Sequence, residues 1–154
     1  FCSLFKDSLI PQIWNGMDPR MSGYALFLKT NKSAFSADGT IEDVKKIKLS
    51  MGNLSFPEGF KAKRSEVDQT MVEVSWPKEL HMGGIHLKDQ LMVISCVDGK
   101  YSDITPTGIE RDDLKGTFSL PSSPMPQAPS PMPLYLFFAS KNHREYSESK
   151  CFEV

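Results

Sequence analysis

Thr70-Met71-Val72-Glu73-Val74-Ser75-Trp76-Pro77 alternates apolar and polar side chains until a proline stops it. Successive side chains of an extended chain point to opposite faces, so Val72, Val74 and Trp76 share one face while Glu73 and Ser75 share the other. Proline lacks the N–H a ladder needs, which ends the strand at Pro77. Outward from this stretch, short runs of the same kind recur between turn residues, the signature of an all-β sandwich or barrel. Upstream, Val44 to Met51 puts Ile47, Leu49 and Met51 inward and Lys46, Lys48 and Ser50 outward, and reads as a half-buried strand. Downstream, a loop with Gly83-Gly84 leads into a strand from Gln90 to Val97. Asp98-Gly99 is a hairpin turn signal, from which Lys100 to Ile104 returns. Thr117 to Leu120 is a further short strand, and Leu134 to Ser140 pairs with Tyr146 to Val154 as a final hairpin around Lys141-Asn142-His143-Arg144.

The first forty residues have a different period. Phe1, Leu4, Phe5, Leu9 and Ile13 recur at helical spacing, with Pro11 expected to end or kink the helix. Asn15-Gly16 breaks the chain, and Asp18-Pro19 supplies a cap followed by proline at a first helical position. A second helix is expected to about Asn31 with Tyr24, Phe27 and Leu28 on one face; the alternative is a buried strand over Ala25 to Leu28. The organisation expected is a helical segment over residues 1–40 packed on a β-sandwich over 41–154. Within it, Pro121 to Pro133 holds six of the eleven prolines and no charge, so it reads as a stiff connector rather than a central strand.

Val72-Glu73-Val74-Ser75-Trp76, Leu91-Met92-Val93-Ile94, Leu134-Tyr135-Leu136-Phe137-Phe138 and Tyr146-Ser147-Glu148-Ser149 resemble the B, C, F and G strands of an immunoglobulin or fibronectin type III-like sandwich. Together with Leu49-Ser50-Met51-Gly52-Asn53-Leu54 and Asp89-Gln90-Leu91-Met92-Val93, they also resemble a bacterial family defined as a domain of unknown function. That resemblance implies a fold and carries no chemistry. Members of that kind have a glycine-rich, basic leader ahead of the helices, and the start at Phe1 rather than methionine leads us to expect a leader upstream.

Composition narrows the functional classes. A chain of 154 residues with 40% hydrophobic and 24% charged side chains is long enough to bury a core without metals or disulfides. Eighteen basic against nineteen acidic residues, dispersed along the chain, give a net charge of -1, so nucleic acid is not an expected partner. The apolar runs are too short for a transmembrane segment. Cys2, Cys96 and Cys151 show neither disulfide nor zinc spacing and are expected as buried thiols.

Each constellation with possible chemistry is weighed against an ordinary structural role. His81 and His86 with Asp89 could supply metal ligands but lack a helical zinc spacing, and His143 falls in a hairpin tip. Ser50-Met51-Gly52 lacks the glycine that opens a nucleophile elbow. Glu110-Arg111-Asp112-Asp113 reads as a solvated turn, and with Asp98 or Asp103 it lacks the pattern of a calcium loop. Gly52 and Gly83-Gly84 form no phosphate cradle. Lys45-Lys46 with Lys48, and Lys61-Ala62-Lys63-Arg64, read as solvated strand faces. No catalytic, cofactor-binding or metal-binding residue is therefore assigned. The sequence favours a non-catalytic structural or protein-interaction module, with a component of an extracellular or phage-like assembly, or an enzyme or metal protein using the loop histidines, as alternatives. Its partner is expected at the 121–133 loop, where two P-x-x-P motifs lie beside Met125 and Met132, or at Trp14 and the N-terminal helices, with self-assembly possible.

Overall fold

The computed structural model describes residues 1–80, 86–121 and 131–154. Helices α1 (Ser3–Asp7), α2 (Ile10–Trp14) and α3 (Gly23–Asn31) precede strands β1 (Lys61–Arg64), β2 (Met71–Ser75), β3 (Gln90–Val97), β4 (Lys100–Tyr101), β5 (Thr105–Glu110), β6 (Lys115–Ser119), β7 (Pro133–Ala139) and β8 (Lys150–Glu153). The strands form two antiparallel sheets, ordered β1-β2-β6 and β4-β3-β7-β8, with β5 also pairing with β3.

The larger sheet is covered on both faces. Leu134, Leu136 and Phe138 of β7, with Leu91 and Val93 of β3, pack against Val72, Val74, Trp76 and Phe118 of the smaller sheet. Tyr135, Phe137 and Ala139, with Met92, Ile94 and Cys96, face Phe5, Ile10, Ile13, Trp14 and Phe27 of the helices. A strand buried on both faces needs apolar residues at every position, which is why β7 is a continuous apolar run rather than an alternation. The result is three layers: helices, a large sheet and a small sheet. Trp14 lies in the first interface, with its indole N–H donating to the Leu49 carbonyl at 3.0 Å. It packs on a sheet face and presents no free surface to a partner. Asn31, fully buried, ties the end of α3 to the following segment: its Nδ2 donates to the Phe27 and Lys48 carbonyls, and its Oδ1 accepts from the Lys48 N–H at 2.6 Å.

Several local expectations are corrected. The first helix is two, interrupted at Ser8-Leu9, and Pro11 lies in the first turn of α2, where its missing N–H costs no helical bond. Proline begins a helix here instead of ending one. The cap of α3 is Ser22, whose hydroxyl accepts from the Ala25 N–H at 3.2 Å, while Asp18 bonds to Arg20 in the preceding turn. Phe27 is wholly buried on α3, whereas Tyr24 and Leu28 are exposed. Val44 to Met51 is not a strand: Val44–Lys46 is a 3₁₀ turn that carries Lys45 and Lys46. Ile47 and Leu49 are nonetheless buried as the alternation requires, but Ser50, expected outward, is wholly buried and Met51 only half-buried. The segment joins no strand ladder: besides the Asn31 and Trp14 contacts above, the Ser50 carbonyl accepts from the Ser149 N–H at 2.9 Å, and serine hydroxyls supply further bonds. Ser149 Oγ accepts from the Leu49 and Ser50 N–H groups at 2.9 and 3.3 Å, and Ser50 Oγ donates to the Ser147 carbonyl at 2.7 Å.

On the C-terminal side, β2 and β3 lie where the alternation places them. Asp98 and Gly99 both have left-handed backbones, φ 50° and 73°, as a tight hairpin requires. The returning strand ends at Tyr101. The sequence does not announce β5: Pro106 and Gly108 interrupt it, and its pairing with β3 shifts register between Gln90 and Met92. Lys61 to Arg64 is β1, an edge of the smaller sheet with Lys61 and Lys63 in solvent. In the closing hairpin, β8 is confined to Lys150–Glu153, extended by a bridge between Ala139 and Tyr146. Most of the proline-rich segment, residues 122–130 with Met125 and both P-x-x-P motifs, lies outside the described residues. Met132 is not exposed but buried, exchanging backbone hydrogen bonds with Val154 at 2.7 and 3.0 Å.

Gly52 passes so close to the 144–146 turn that a Cβ on it would lie 2.0 Å from the Tyr146 carbonyl oxygen. Only glycine fits that crossing. Ser149→Ala leaves two buried N–H groups without their shared acceptor and is expected to cost about 1–3 kcal/mol in urea unfolding. Ser33→Ala, at an exposed position without such bonds, is the control and should leave the midpoint unchanged.

Candidate functional site

The densest cluster of charged side chains in the interior is centred on Arg111. The chain crosses from the larger to the smaller sheet between β5 and β6, and a 3₁₀ turn, Arg111–Asp113, makes that corner. A capping box closes the turn, with Asp113 accepting from the Glu110 N–H at 2.8 Å, and Leu114 leaves it in the left-handed region at φ 63°. The backbone of the corner is held from outside. Arg111 N–H donates to the Asp89 carbonyl at 2.8 Å, Asp112 N–H to the Leu87 carbonyl at 2.9 Å, and the Trp76 indole N–H to the Arg111 carbonyl at 3.0 Å.

These contacts turn the Arg111 side chain inward, where it is 3% exposed. Its Nε lies 3.2 Å from Asp89 Oδ2, its Nη1 3.0 Å from Glu79 Oε1, and its Nη2 donates to the Ser55 carbonyl at 2.9 Å. The face of the guanidinium covers the Phe138 ring, 4.1 Å from its centroid. A planar fork with delocalised charge satisfies all four contacts at once, which an ammonium could not. Asp89 is equally buried, and that burial pushes its carboxyl pKa up against the opposing pull of Arg111 and His86. His86 Nδ1 approaches Asp89 Oδ2 to 3.4 Å without the alignment of a hydrogen bond. Outside, Lys88 bridges Glu110 and Asp112 at 3.0 Å each, and those two bonds raise its pKa to about 12.

The structure thus joins two groups that the sequence kept apart, His86 with Asp89 and the Glu110–Asp113 turn. The turn is solvated at Asp112 and Asp113, as expected, but Arg111 at its start is among the most buried polar residues. His81 and Gly83-Gly84 lie outside the described residues. His143 occupies the turn after β7 in the left-handed region, φ 56°, with Nε2 3.2 Å from Gln90 Oε1, and does not join the cluster. Among the described residues no three His, Cys, Asp or Glu side chains converge as metal ligands would. Ser55 Oγ donates to Glu79 Oε2 at 3.0 Å, and the same carboxylate is paired with Arg111 through its other oxygen. The charges of the cluster are matched to one another, and the pairs hold the corner in place. A cavity of about 520 Å³ lies beside it, bordered by Trp76, Leu87 and Leu114, and a polar cleft of about 470 Å³ lies between α2 and the 51–53 and 144–146 turns.

A wider concavity lies elsewhere. A groove of about 1000 Å³ runs between the start of α1, the end of α3 and the 35–39 turn, walled by Phe1, Leu28 and Phe35 and edged by Lys29 and Lys32. Phe1 stacks on the buried Phe27 with centroids 5.0 Å apart and meets Phe35 edge-on at 4.9 Å, so the wall is braced by the core. Nothing in the alternation of single apolar residues signals this groove in the sequence, because Leu28 and Phe35 come together only when α3 ends and the chain turns back.

The three thiols differ. Cys96 is buried, Cys151 is half-buried and Cys2 is exposed, which corrects the expectation that all three lie inside. Burial raises the thiols of Cys96 and Cys151, the latter to about 11. The thiolate is the reactive form, so Cys151 is expected to stay inert below that pH. With an excess of a thiol-disulfide reagent at pH 8, one thiol should react rapidly, Cys2→Ser should abolish that phase, and the other two should appear only in denaturant.

Arg111→Ala leaves the Asp89 carboxylate buried without its partner, and unfolding in urea should show a loss of about 3–5 kcal/mol. Arg111→Met combined with Asp89→Leu removes both charges while filling the space and is expected to recover most of that loss.

No family model, curated protein or solved structure matches this chain.

Proposed function

We propose that this protein is a non-catalytic interaction module whose partner docks on the helical layer. The observation that carries the reading is the groove of about 1000 Å³ between α1, α3 and the 35–39 turn, which is apolar, braced and open to solvent. Concave apolar surface with few polar groups is the general form of a binding site. The chemistry-bearing residues point the same way: Arg111, Asp89 and Glu79 are spent on one another at an internal corner. The enzyme alternative would need His86 and Asp89 to act together, and Asp89 is committed to Arg111.

The strand order supports a fibronectin type III-like reading of the sandwich. In that fold strands A, B and E form one sheet and C′, C, F and G the other; β1-β2-β6 facing β4-β3-β7-β8 follows that order. On this reading β2, β3, β7 and β8 are B, C, F and G, and the helices cover the C-F face. The resemblance to a bacterial domain of unknown function rests on the same strands and adds fold, not activity. Sandwiches of this kind serve as scaffolds that present loops and appended surfaces, which suits a module more than an active site.

A benzophenone amino acid at position 28, in the full chain expressed in its own cells, tests the docking face against the same label at Val67, which is 97% exposed on the smaller sheet's side of the chain. The expected outcome is one discrete adduct from position 28, lost with Phe35→Asp, and none from position 67. Equal adducts from both positions, or none from position 28, overturn the reading.

A further inference from the structure

Resting on the docking face just described, we infer that the groove takes an acidic peptide segment of a partner protein, with an apolar anchor between Leu28 and Phe35 and carboxylates against Lys29 and Lys32. The charge around the groove differs from that of the whole molecule. The chain carries a net charge of -1, yet the groove is lined by two lysines and by no carboxylate. Among the described residues neither Lys29 nor Lys32 enters an ion pair. The nearest acid along the chain, Asp38, is occupied within its own turn, accepting from the Thr40 N–H at 3.0 Å, from Thr40 Oγ1 at 2.7 Å and from the Ser36 hydroxyl. Those bonds hold its carboxyl near 2, lowered to about 2 and so ionised, but aimed at its own loop.

The two lysines stand three residues apart where α3 passes into a 3₁₀ turn, so both project near Leu28, an exposed apolar residue of that helix. The anchor site is stiff. Phe35 meets Phe1, and Phe1 is stacked on Phe27, so little order is lost when an apolar side chain enters. An apolar slot flanked by two lysines, against the single Asp38 carboxylate of its turn and an Asp18 that feels Lys29 but is paired with Arg20, selects an anchor with negative neighbours and disfavours positive ones.

Other occupants suit the surface less well. An anionic bilayer is held by clusters of about four to eight basic residues on a protruding face, and this surface is concave with two lysines. Single-stranded nucleic acid needs a basic track with exposed ring faces, whereas Phe1 is stacked on Phe27 and lies edge-on to Phe35. A peptide needs one anchor pocket and a few charges, which is what the groove offers.

The test uses the full chain and two fluorescein-labelled dodecapeptides that share Phe and Leu anchors, one on a glutamate background and one on a lysine background, read by anisotropy. The glutamate peptide should bind about tenfold more tightly or better, with an affinity that falls as salt is raised. Lys29→Glu with Lys32→Glu should invert the preference, and Leu28→Ser should weaken both peptides while leaving the melting temperature unchanged. Equal affinity for the two peptides, unmoved by the double reversal, overturns the charge inference and leaves the docking face standing. No saturable binding of either peptide, together with no adduct from position 28, overturns both. Phosphatidylserine vesicles binding the chain in place of the peptides also overturns it.

Discussion

Leu134 to Ala139 has no polar face. A strand with apolar side chains on both sides cannot lie at the surface of a two-layer sandwich, because one face would be left in water along its whole length. It must be central, and it must be covered twice. The smaller sheet supplies one cover, with Trp76 and Phe118 against Phe138, and α1, α2 and α3 supply the other, with Trp14 and Phe27 against the β3–β7 face. The N-terminal helices are therefore a structural layer and not an appendage: without them Tyr135, Phe137 and Met92 would be exposed. By ordinary area bookkeeping each large side chain left in water forfeits about 1.5–3 kcal/mol, so the helical cover contributes on the scale of the whole stability of a domain.

That constraint determines what was legible in the sequence. Where one face is apolar and the other polar, alternation reports both the element and its orientation, as in Val72-Glu73-Val74-Ser75-Trp76. Where both faces are buried, alternation vanishes, and Leu134 to Ala139 could be typed as a strand but not placed at the centre. Ile47 and Leu49 give the opposite case. Their alternation correctly placed Ile47 and Leu49 inside but put Ser50 outside, whereas Ser50 is buried and bonds Ser149 and Ser147, and no periodicity distinguishes such partners from a strand. The first helix failed for a third reason: a stripe at helical spacing continues across Ser8 and Leu9 in sequence although the backbone turns between two short helices.

The candidate site was legible only in pieces. Asp89 and Glu79 stand 22 and 32 residues from Arg111, and the Ser55 carbonyl 56, so no local pattern announces that they meet. The flanking acids of Glu110-Arg111-Asp112-Asp113 made a solvated turn the natural reading, and for Asp112 and Asp113 it holds. What inverts Arg111 is the corner itself. The chain must pass between sheets there, Trp76 and Asp89 capture its backbone, and the side chain is left pointing at the ring of Phe138. A cation in that position needs several acceptors, because a buried guanidinium without them would cost more than the packing returns. Charge buried this way secures a particular geometry, with Asp89 and Glu79 both paired to the guanidinium.

On the reading proposed here, the two observations together favour the outer helical surface for binding. Polar chemistry is drawn inward at the inter-sheet corner, while the layer that covers the second face of the central sheet has its own outer side in water. Short helices cannot close that side completely: α1 spans five residues and α3 nine, and the chain leaves α3 through a 3₁₀ turn before doubling back at residues 35–39. A gap between such elements is apolar because its walls, Phe1 and Phe35, belong to the same packing that secures Phe27. It is edged with lysine because Lys29 lies in the last turn of α3, where a cation offsets the helix dipole. The features that stabilise the cover thus also give its outer face an apolar slot and a local positive charge, and on the reading proposed here recognition uses surface that folding had already arranged.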